Sequence, residues 1–236
     1  MKLCLDCGNT RIKWGLHDGK NWLAHGAVAT TAADQLTTEL VLLPAADTII
    51  ACNVAGESVE AAVNAQFPGR IYWNRAQAEQ AGVSNGYEIA DTLGADRWAA
   101  LLGARALHPG SCLVVNAGTA TTIDLLTADG HFVGGLILPG LDLMRTALAR
   151  NTAQLPAVTG THKAIPNNTL DAITSGATHA TLGALERMFR QLEALDGEVP
   201  LCLLAGGASP LLAPHLTLPF RTEPLLILHG LVQLAP

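Results

Sequence analysis

Two short segments of this chain carry the residue types that grip a phosphate chain. Asp6-Cys7-Gly8-Asn9-Thr10 sets a carboxylate, a glycine and a hydroxyl at the end of an apolar run, and Gly118-Thr119-Ala120 ends another, with hydroxyls at Thr119 and Thr121. Binding a phosphate chain takes backbone N–H groups aimed at it, small residues that permit close approach, and usually a metal ion held by carboxylate. The first segment offers all three, and Lys13 can reach back along its strand to a phosphate oxygen. On turn chemistry alone D-x-G-N-T is also an ordinary turn sequence; its near-duplication sets it apart. A third segment, Gly94-Ala95-Asp96-Arg97-Trp98, stands at the mouth of an alanine-rich helical pattern. There Asp96 reads either as an N-cap or as a base. A carboxylate that accepts a hydroxyl proton, beside a guanidinium that holds an anion, is the minimum for phosphorylating an anionic alcohol. Most catalysis in phosphoryl transfer is positioning and charge stabilisation, so one Asp suffices.

The elements that must position these residues occur twice. Residues 3–6 read as a buried strand, 11–16 as an alternating second strand, and Asp18-Gly19 as a tight turn into residues 21–28. In the second half, residues 113–115 end in Asn116-Ala117-Gly118-Thr119-Ala120, residues 121–126 form the next strand, and Asp129-Gly130 turns into residues 131–138. A weaker echo follows: residues 48–52 run into Asn53-Val54-Ala55-Gly56, and residues 201–204 into Ala205-Gly206-Gly207-Ala208. Two copies imply two similar α/β domains rather than a solenoid, divided near His108-Pro109-Gly110 into residues 1–109 and 110–236. Helices are expected over residues 96–107, 141–149, 170–195 and 225–234, with a loop over 156–166. A pseudo-twofold between the domains would set the two turns facing each other across a cleft, gripping a polyphosphate from both sides.

Composition narrows the function classes. Of 236 residues, 49% are hydrophobic and 14% charged, which argues against disorder. With four Phe, four Trp and two Tyr the core is aliphatic, and Trp14 and Trp22 are expected to cover it. A formal charge of −6 argues against nucleic acid or an anionic membrane as the main partner. No apolar run reaches the roughly 18 residues that would cross a bilayer, and the three apolar residues before Asp6 are too few for the h-region expected of a secretory signal. Five scattered cysteines suit reduced thiols in a cytoplasm. Cys4 and Cys7 have C-x-x-C spacing, but residues three apart on a strand point to opposite faces, so one metal ion would not take both. The eight histidines show no zinc spacing. Residues 15–21 resemble a P-loop one residue too short, and no G-x-G-x-x-G follows a strand.

On these residues the chain resembles the type III pantothenate kinases, members of the actin, sugar-kinase and Hsp70 superfamily. The resemblance spans essentially the whole length. It rests on residues 6–14, on Gly94-Ala95-Asp96-Arg97-Trp98, on residues 118–124, on Gly134-Gly135-Leu136-Ile137-Leu138-Pro139-Gly140, and on Thr152-Ala153-Gln154-Leu155-Pro156; Asn168-Thr169-Leu170-Asp171 and Ala205-Gly206-Gly207-Ala208 fit as well.

The resemblance implies duplicated actin-like, ribonuclease H-like α/β domains with a nucleotide cleft between them. The first phosphate motif would be Asp6, Cys7, Gly8, Asn9, Thr10, Arg11, Ile12 and Lys13, with Asp6 near Mg2+. Gly118 and Thr119 would belong to the second phosphate motif, and Gly206 and Gly207 to the adenosine-side turn. It implies Asp96 as the base facing the primary hydroxyl of pantothenate. Tyr87, Gly94, Ala95, Asp96 and Arg97 would line the substrate pocket, and Thr169 would enter it across a homodimer interface. The implied reaction is ATP plus pantothenate to 4′-phosphopantothenate, the first committed step toward coenzyme A, in the cytoplasm. One position departs from the family pattern. Many members carry Asp where this chain has Asn116, at a place that holds a monovalent cation, K+ or NH4+. Asn keeps a carbonyl oxygen but lacks the charge that offsets a cation's desolvation, which argues against a potassium requirement while leaving the kinase reading intact. Two further readings keep the fold: a nucleotide-binding regulatory or accessory protein with weakened turnover, or a kinase for another small alcohol.

Overall fold

The computed structural model describes residues 1–151 and 159–234, so the motif at 152–156 lies outside the described residues. The chain forms two compact units. The first comprises Met1–Pro109, Gly130–Phe132 and the chain from Leu225, and the second comprises Gly110–Asp129 and Val133–Pro224.

In the first unit, β1 (Lys2–Cys7), β2 (Arg11–His17) and β3 (Trp22–Ala29) form an antiparallel meander. After α1 (Leu36–Leu40), β4 (Thr48–Asn53) joins β1 in parallel, and after α2 (Glu57–Gln66), β5 (Ile71–Trp73) joins β4 in parallel. The strand order is β3-β2-β1-β4-β5. Unbroken burial from Leu3 to Cys7 and from Ile49 to Cys52 marks β1 and β4 as central strands covered on both faces. Because side chains alternate, Leu3, Leu5 and Cys7 enter a core with Ile12, Trp14, Val59 and Val63, leaving Cys4 and Asp6 on the opposite face. A short hairpin, β6 (Glu79–Gln80) and β7 (Val83–Asn85), precedes α3 (Ala95–Leu107). The strands of two or three residues had no readable alternation in the sequence.

The second unit repeats the plan. β8 (Cys112–Ala117) and β9 (Ala120–Leu126) form an antiparallel pair, with β10 (His131–Pro139) beside β9. The helices α4 (Leu141–Asn151) and α5 (Thr169–Asp196) come before β11 (Leu201–Ala205), which lies parallel to β8. After α6 (Ser209–Leu212), β12 (Phe220–Thr222) lies parallel to β11. The order β10-β9-β8-β11-β12 matches that of the first unit strand for strand, so the sequence echo is a true duplication of topology. α5 starts where Asn168 accepts the Asp171 N–H at 3.0 Å and stops at Gly197, whose φ of 73° is left-handed.

The terminal helix α7 (Leu226–Val232) departs from the division at 109/110, because it packs in the first unit against α3. Small residues permit the crossing: a Cβ at Gly230 would lie 1.8 Å from the Ala99 carbonyl oxygen, and one at Gly103 would lie 2.2 Å from that of Leu226. Lys2 secures the helix end, donating from Nζ to the Val232 and Leu234 carbonyls at 2.8 and 2.7 Å.

Candidate active site

The β1–β2 turn is built so that its polar groups face outward. Gly8 N donates to Arg11 O at 3.2 Å, closing the turn, and the Thr30 hydroxyl fastens it by donating to Gly8 O at 2.6 Å. Asn9, Thr10 and Arg11 are exposed and Gly8 is half-buried, whereas Cys7 and Ile12 are sunk in the core, so only their main-chain atoms are available to a ligand. Antiparallel register sets Asp6 opposite Lys13, and Lys13 Nζ lies 3.7 Å from Asp6 Oδ2. On the other side, parallel register sets Cys52 beside Asp6, and the thiol donates to Asp6 Oδ1 at 3.7 Å. Asp6 is 5% exposed. Burial pushes its carboxyl up to about 6 against the opposing pull of Lys13, and nearby Asp96 raises it further.

Asp96 occupies the first turn of α3, but Gly94, not Asp96, is the N-cap. Asp96 is therefore not the N-cap residue. The Asp96 carboxylate instead accepts the Arg97 N–H at 2.8 Å, and a Cβ at Gly94 would meet Asp96 Oδ1 at 2.9 Å, so glycine makes room for it. Burial raises the Asp96 carboxyl above the ordinary range, opposed by the Arg97 N–H and guanidinium. Arg97 is buried; it donates from Nη1 to the Tyr87 hydroxyl at 2.8 Å. Its guanidinium lies over the rings of Tyr87 and Phe132. In the first unit, therefore, Asp6, Lys13 and Asp96 fall within electrostatic reach of one another, and Tyr87 and Arg97 form a second cluster at the same helix start.

In the second unit three chain segments meet around the end of β8. Gly118 N donates to Ala120 O at 2.9 Å, and Gly140 N, from the end of the 134–140 motif, donates to Thr119 O at 2.9 Å. The Gly206 turn packs beside them. Ala208 N donates to Ala117 O at 2.9 Å, and Gly206, with φ of 94°, sits where a Cβ would lie 2.2 Å from that same oxygen. Thr119 is exposed, Asn116 is half-buried on β8 beside Ala205, and Thr169 is exposed in the first turn of α5. The structure thus brings Gly118, Thr119, Gly206 and Gly207 to one corner.

Two polar residues, one beside Asp6 and one a strand further away, escaped the sequence reading. Cys52 lay in an apolar run, and Asn74, 2% exposed, follows β5. The only available signal was a polar side chain at the carboxyl end of each short apolar strand, which is where open α/β sheets place ligands. Cys4 and Cys7, together with the other three cysteines, are free and buried. Among the described residues no group of three or more His, Cys, Asp or Glu side chains gathers to hold a metal ion.

Comparison with known proteins bears on the same residues. A family model described as type III pantothenate kinase matches residues 2–191. A type III pantothenate kinase of Aromatoleum aromaticum is 50% identical, the match covering 100% of this chain and 98% of the relative. One from Dechloromonas aromatica is 44% identical, covering 100% and 99%. Among solved structures, a Sinorhizobium meliloti protein described as a 2-dehydro-3-deoxygalactonokinase superposes with a TM-score of 0.61 at 20% identity, covering 98% of this chain and 97% of that one. A Listeria monocytogenes protein described as an N-acetylmannosamine kinase superposes with a TM-score of 0.54 at 12% identity, covering 98% and 96%. At those identities the likeness shows the fold alone: a duplicated actin-like α/β fold.

Proposed function

The chain belongs to the type III pantothenate kinase family, and we propose that it transfers the γ-phosphoryl group of ATP to the primary hydroxyl of pantothenate with Asp96 as the general base. The product is 4′-phosphopantothenate, at the start of coenzyme A biosynthesis. The observation that carries the assignment of the base is that the buried Asp96 carboxylate lies within electrostatic reach of Asp6 and Lys13 of the first phosphate turn, beside the Arg97–Tyr87 pair. Asp96 would accept the hydroxyl proton as the oxygen attacks, and its raised pKa brings it nearer the operating range of a base. Arg97, braced by Tyr87, would hold the carboxylate of pantothenate.

Asp6, Gly8 to Arg11 and Lys13 would take the phosphates, with Cys7 and Ile12 contributing main chain; Gly118 and Thr119 would form the second phosphate turn, and Gly206 and Gly207 the adenosine-side turn. The residues present fit a magnesium ion, because Mg2+ keeps several waters and needs only one or two protein carboxylates beside the phosphates, and Asp6 supplies one. When bound, the ion would neutralise charge on the phosphates. Asn116 argues against a K+ or NH4+ requirement. We place Thr169 in the acceptor site of a homodimer; the exposed Leu136 and Ile137 on β10 and Leu143 and Leu148 on α4 supply apolar surface for assembly. Buried, unlinked cysteines support a cytoplasmic setting. Among the described residues no helix is long and apolar enough to cross a membrane.

The deciding experiment is ADP release measured with and without pantothenate, first in potassium and then in sodium. Release that depends on pantothenate is expected in both salts. Release indifferent to pantothenate overturns the acceptor, and loss of activity in sodium overturns the reading of Asn116.

A further inference from the structure

Three neighbouring parallel strands end in a row of polar side chains. Register pairs Asp6 of β1 with Cys52 of β4, and Ala51 of β4 with Trp73 of β5, so the next residue, Asn74, stands beside Cys52. Its main chain continues the pairing, with Asn74 N donating to Ala51 O at 2.7 Å. Trp73 packs with Ala51 and Leu5 in the apolar core. Alternation therefore puts Asn74 on the opposite face, the one that carries Asp6 and Cys52. Asp96 acts electrostatically on both Asp6 and Cys52, and α3 packs against β4, the middle strand of the three.

Asn74 is 2% exposed, yet neither its side-chain oxygen nor its side-chain nitrogen has a hydrogen-bond partner. A buried amide with both groups unpaired is costly and is kept where something else must pair with it. The chemistry of the amide selects the partner. A magnesium ion would use the oxygen and leave the NH2 group unpaired, and a phosphate would do the reverse. A hydroxyl donates and accepts, so it satisfies both.

We propose that Asn74 is a substrate-binding residue for the acceptor, its carboxamide both donating to and accepting from a hydroxyl of the incoming alcohol. This inference rests on the reading of Asp96 and its surroundings as the acceptor site. It adds to that reading a neutral residue immediately after β5, whereas the other acceptor-side groups of this unit lie at positions 87 and 94–97.

The test is Asn74→Leu, which keeps the shape and removes both polar atoms, with Asn74→Ala as the second variant should leucine prevent folding. The KM for pantothenate is expected to rise about tenfold or more, because a site built to pair a hydroxyl loses that discrimination, while the KM for ATP stays within about twofold. Calorimetric affinity for pantothenate should fall by the same factor. The thermal midpoint of the ligand-free Leu variant should hold or rise, since replacing unpaired polar groups by apolar ones of similar shape is neutral or stabilising. A folded variant with unchanged pantothenate KM and affinity overturns the proposal. Asp96→Asn, assayed in parallel, separates the two levels: if it loses turnover while Asn74→Leu is unaffected, only the role of Asn74 fails, and if it keeps turnover, the site reading beneath both fails.

Discussion

Arg97 and Tyr87 form a braced pair: Nη1 donates to the Tyr87 hydroxyl at 2.8 Å while the guanidinium carbon lies 5.6 Å from the Tyr87 ring centre. A planar, forked cation stacked on an aromatic ring is something lysine does not reproduce. Arg97→Lys is therefore expected to raise the KM for pantothenate by roughly one to two orders of magnitude. Tyr87→Phe keeps the ring and loses only the hydroxyl, so its effect should be a few-fold. Steady-state kinetics with pantothenate varied at saturating ATP rank the two; an equal or reversed ranking contradicts the bracing role.

Asp96→Asn should separate activity from stability. Removal of the proposed general base should lower turnover by roughly two to four orders of magnitude. Stability moves the other way. The folded pKa of Asp96 is raised by burial, so its contribution to stability is fully present below the unfolded value and is lost as pH rises through the folded one. Above the folded pKa the ionised wild type carries that desolvation cost and the neutral variant does not. Thermal midpoints from pH 4 to 8 should show the variant ahead at the upper end, with the gap closing as pH falls. A variant that is less stable at pH 7 would contradict this.

What could be read in the sequence was local. The Asp6–Lys13 pair follows from alternation across a short turn, and the duplicated strand order follows from the echo between residues 6–18 and 116–129. What could not be read was non-local. The row of Asp6, Cys52 and Asn74 depends on parallel register between strands more than twenty residues apart, which no short-range pattern encodes. Asp96 failed as a cap because Gly94, with no side chain, took the position and left the carboxylate room. The return of α7 to the first unit was hidden because the glycines that allow it, Gly103 and Gly230, sit on different helices.

Gly206 and Gly207 are adjacent but should respond differently to alanine. Gly206 has φ of 94° and no room, with a Cβ lying 2.2 Å from Ala117 O, whereas nothing lies within 4 Å of a Cβ at Gly207. Gly206→Ala is expected to cost roughly 1–3 kcal/mol from backbone strain, and more if the end of β8 must shift. Gly207→Ala should leave stability within about 0.5 kcal/mol. It should nevertheless raise the KM for ATP if this turn approaches the adenosine. Urea unfolding and ATP kinetics on both variants test the pair; equal stability losses would refute the steric argument.

Acid should release the segment that leads to Thr169. Asp171 on α5 accepts the Thr161 N–H at 2.8 Å and the Asn168 side-chain amide at 2.8 Å, and lies 3.1 Å from Lys163 Nζ. These contacts, the Thr161 N–H foremost, hold its carboxyl below the ordinary range. A depressed folded pKa contributes stability that is present above the unfolded value, about 3.9, and is lost as pH falls through the folded one. The Lys163 N–H, which donates to the Ser175 hydroxyl at 2.9 Å, belongs to the same strap without touching Asp171. Amide hydrogen exchange should therefore accelerate first at Thr161 and then at Lys163 below about pH 4. Asp171→Ala should reproduce that pattern at pH 7 and raise the KM for pantothenate, because Thr169 sits two residues before the lost anchor. Protection at Thr161 that survives the substitution would show that Asp171 does not hold the strap.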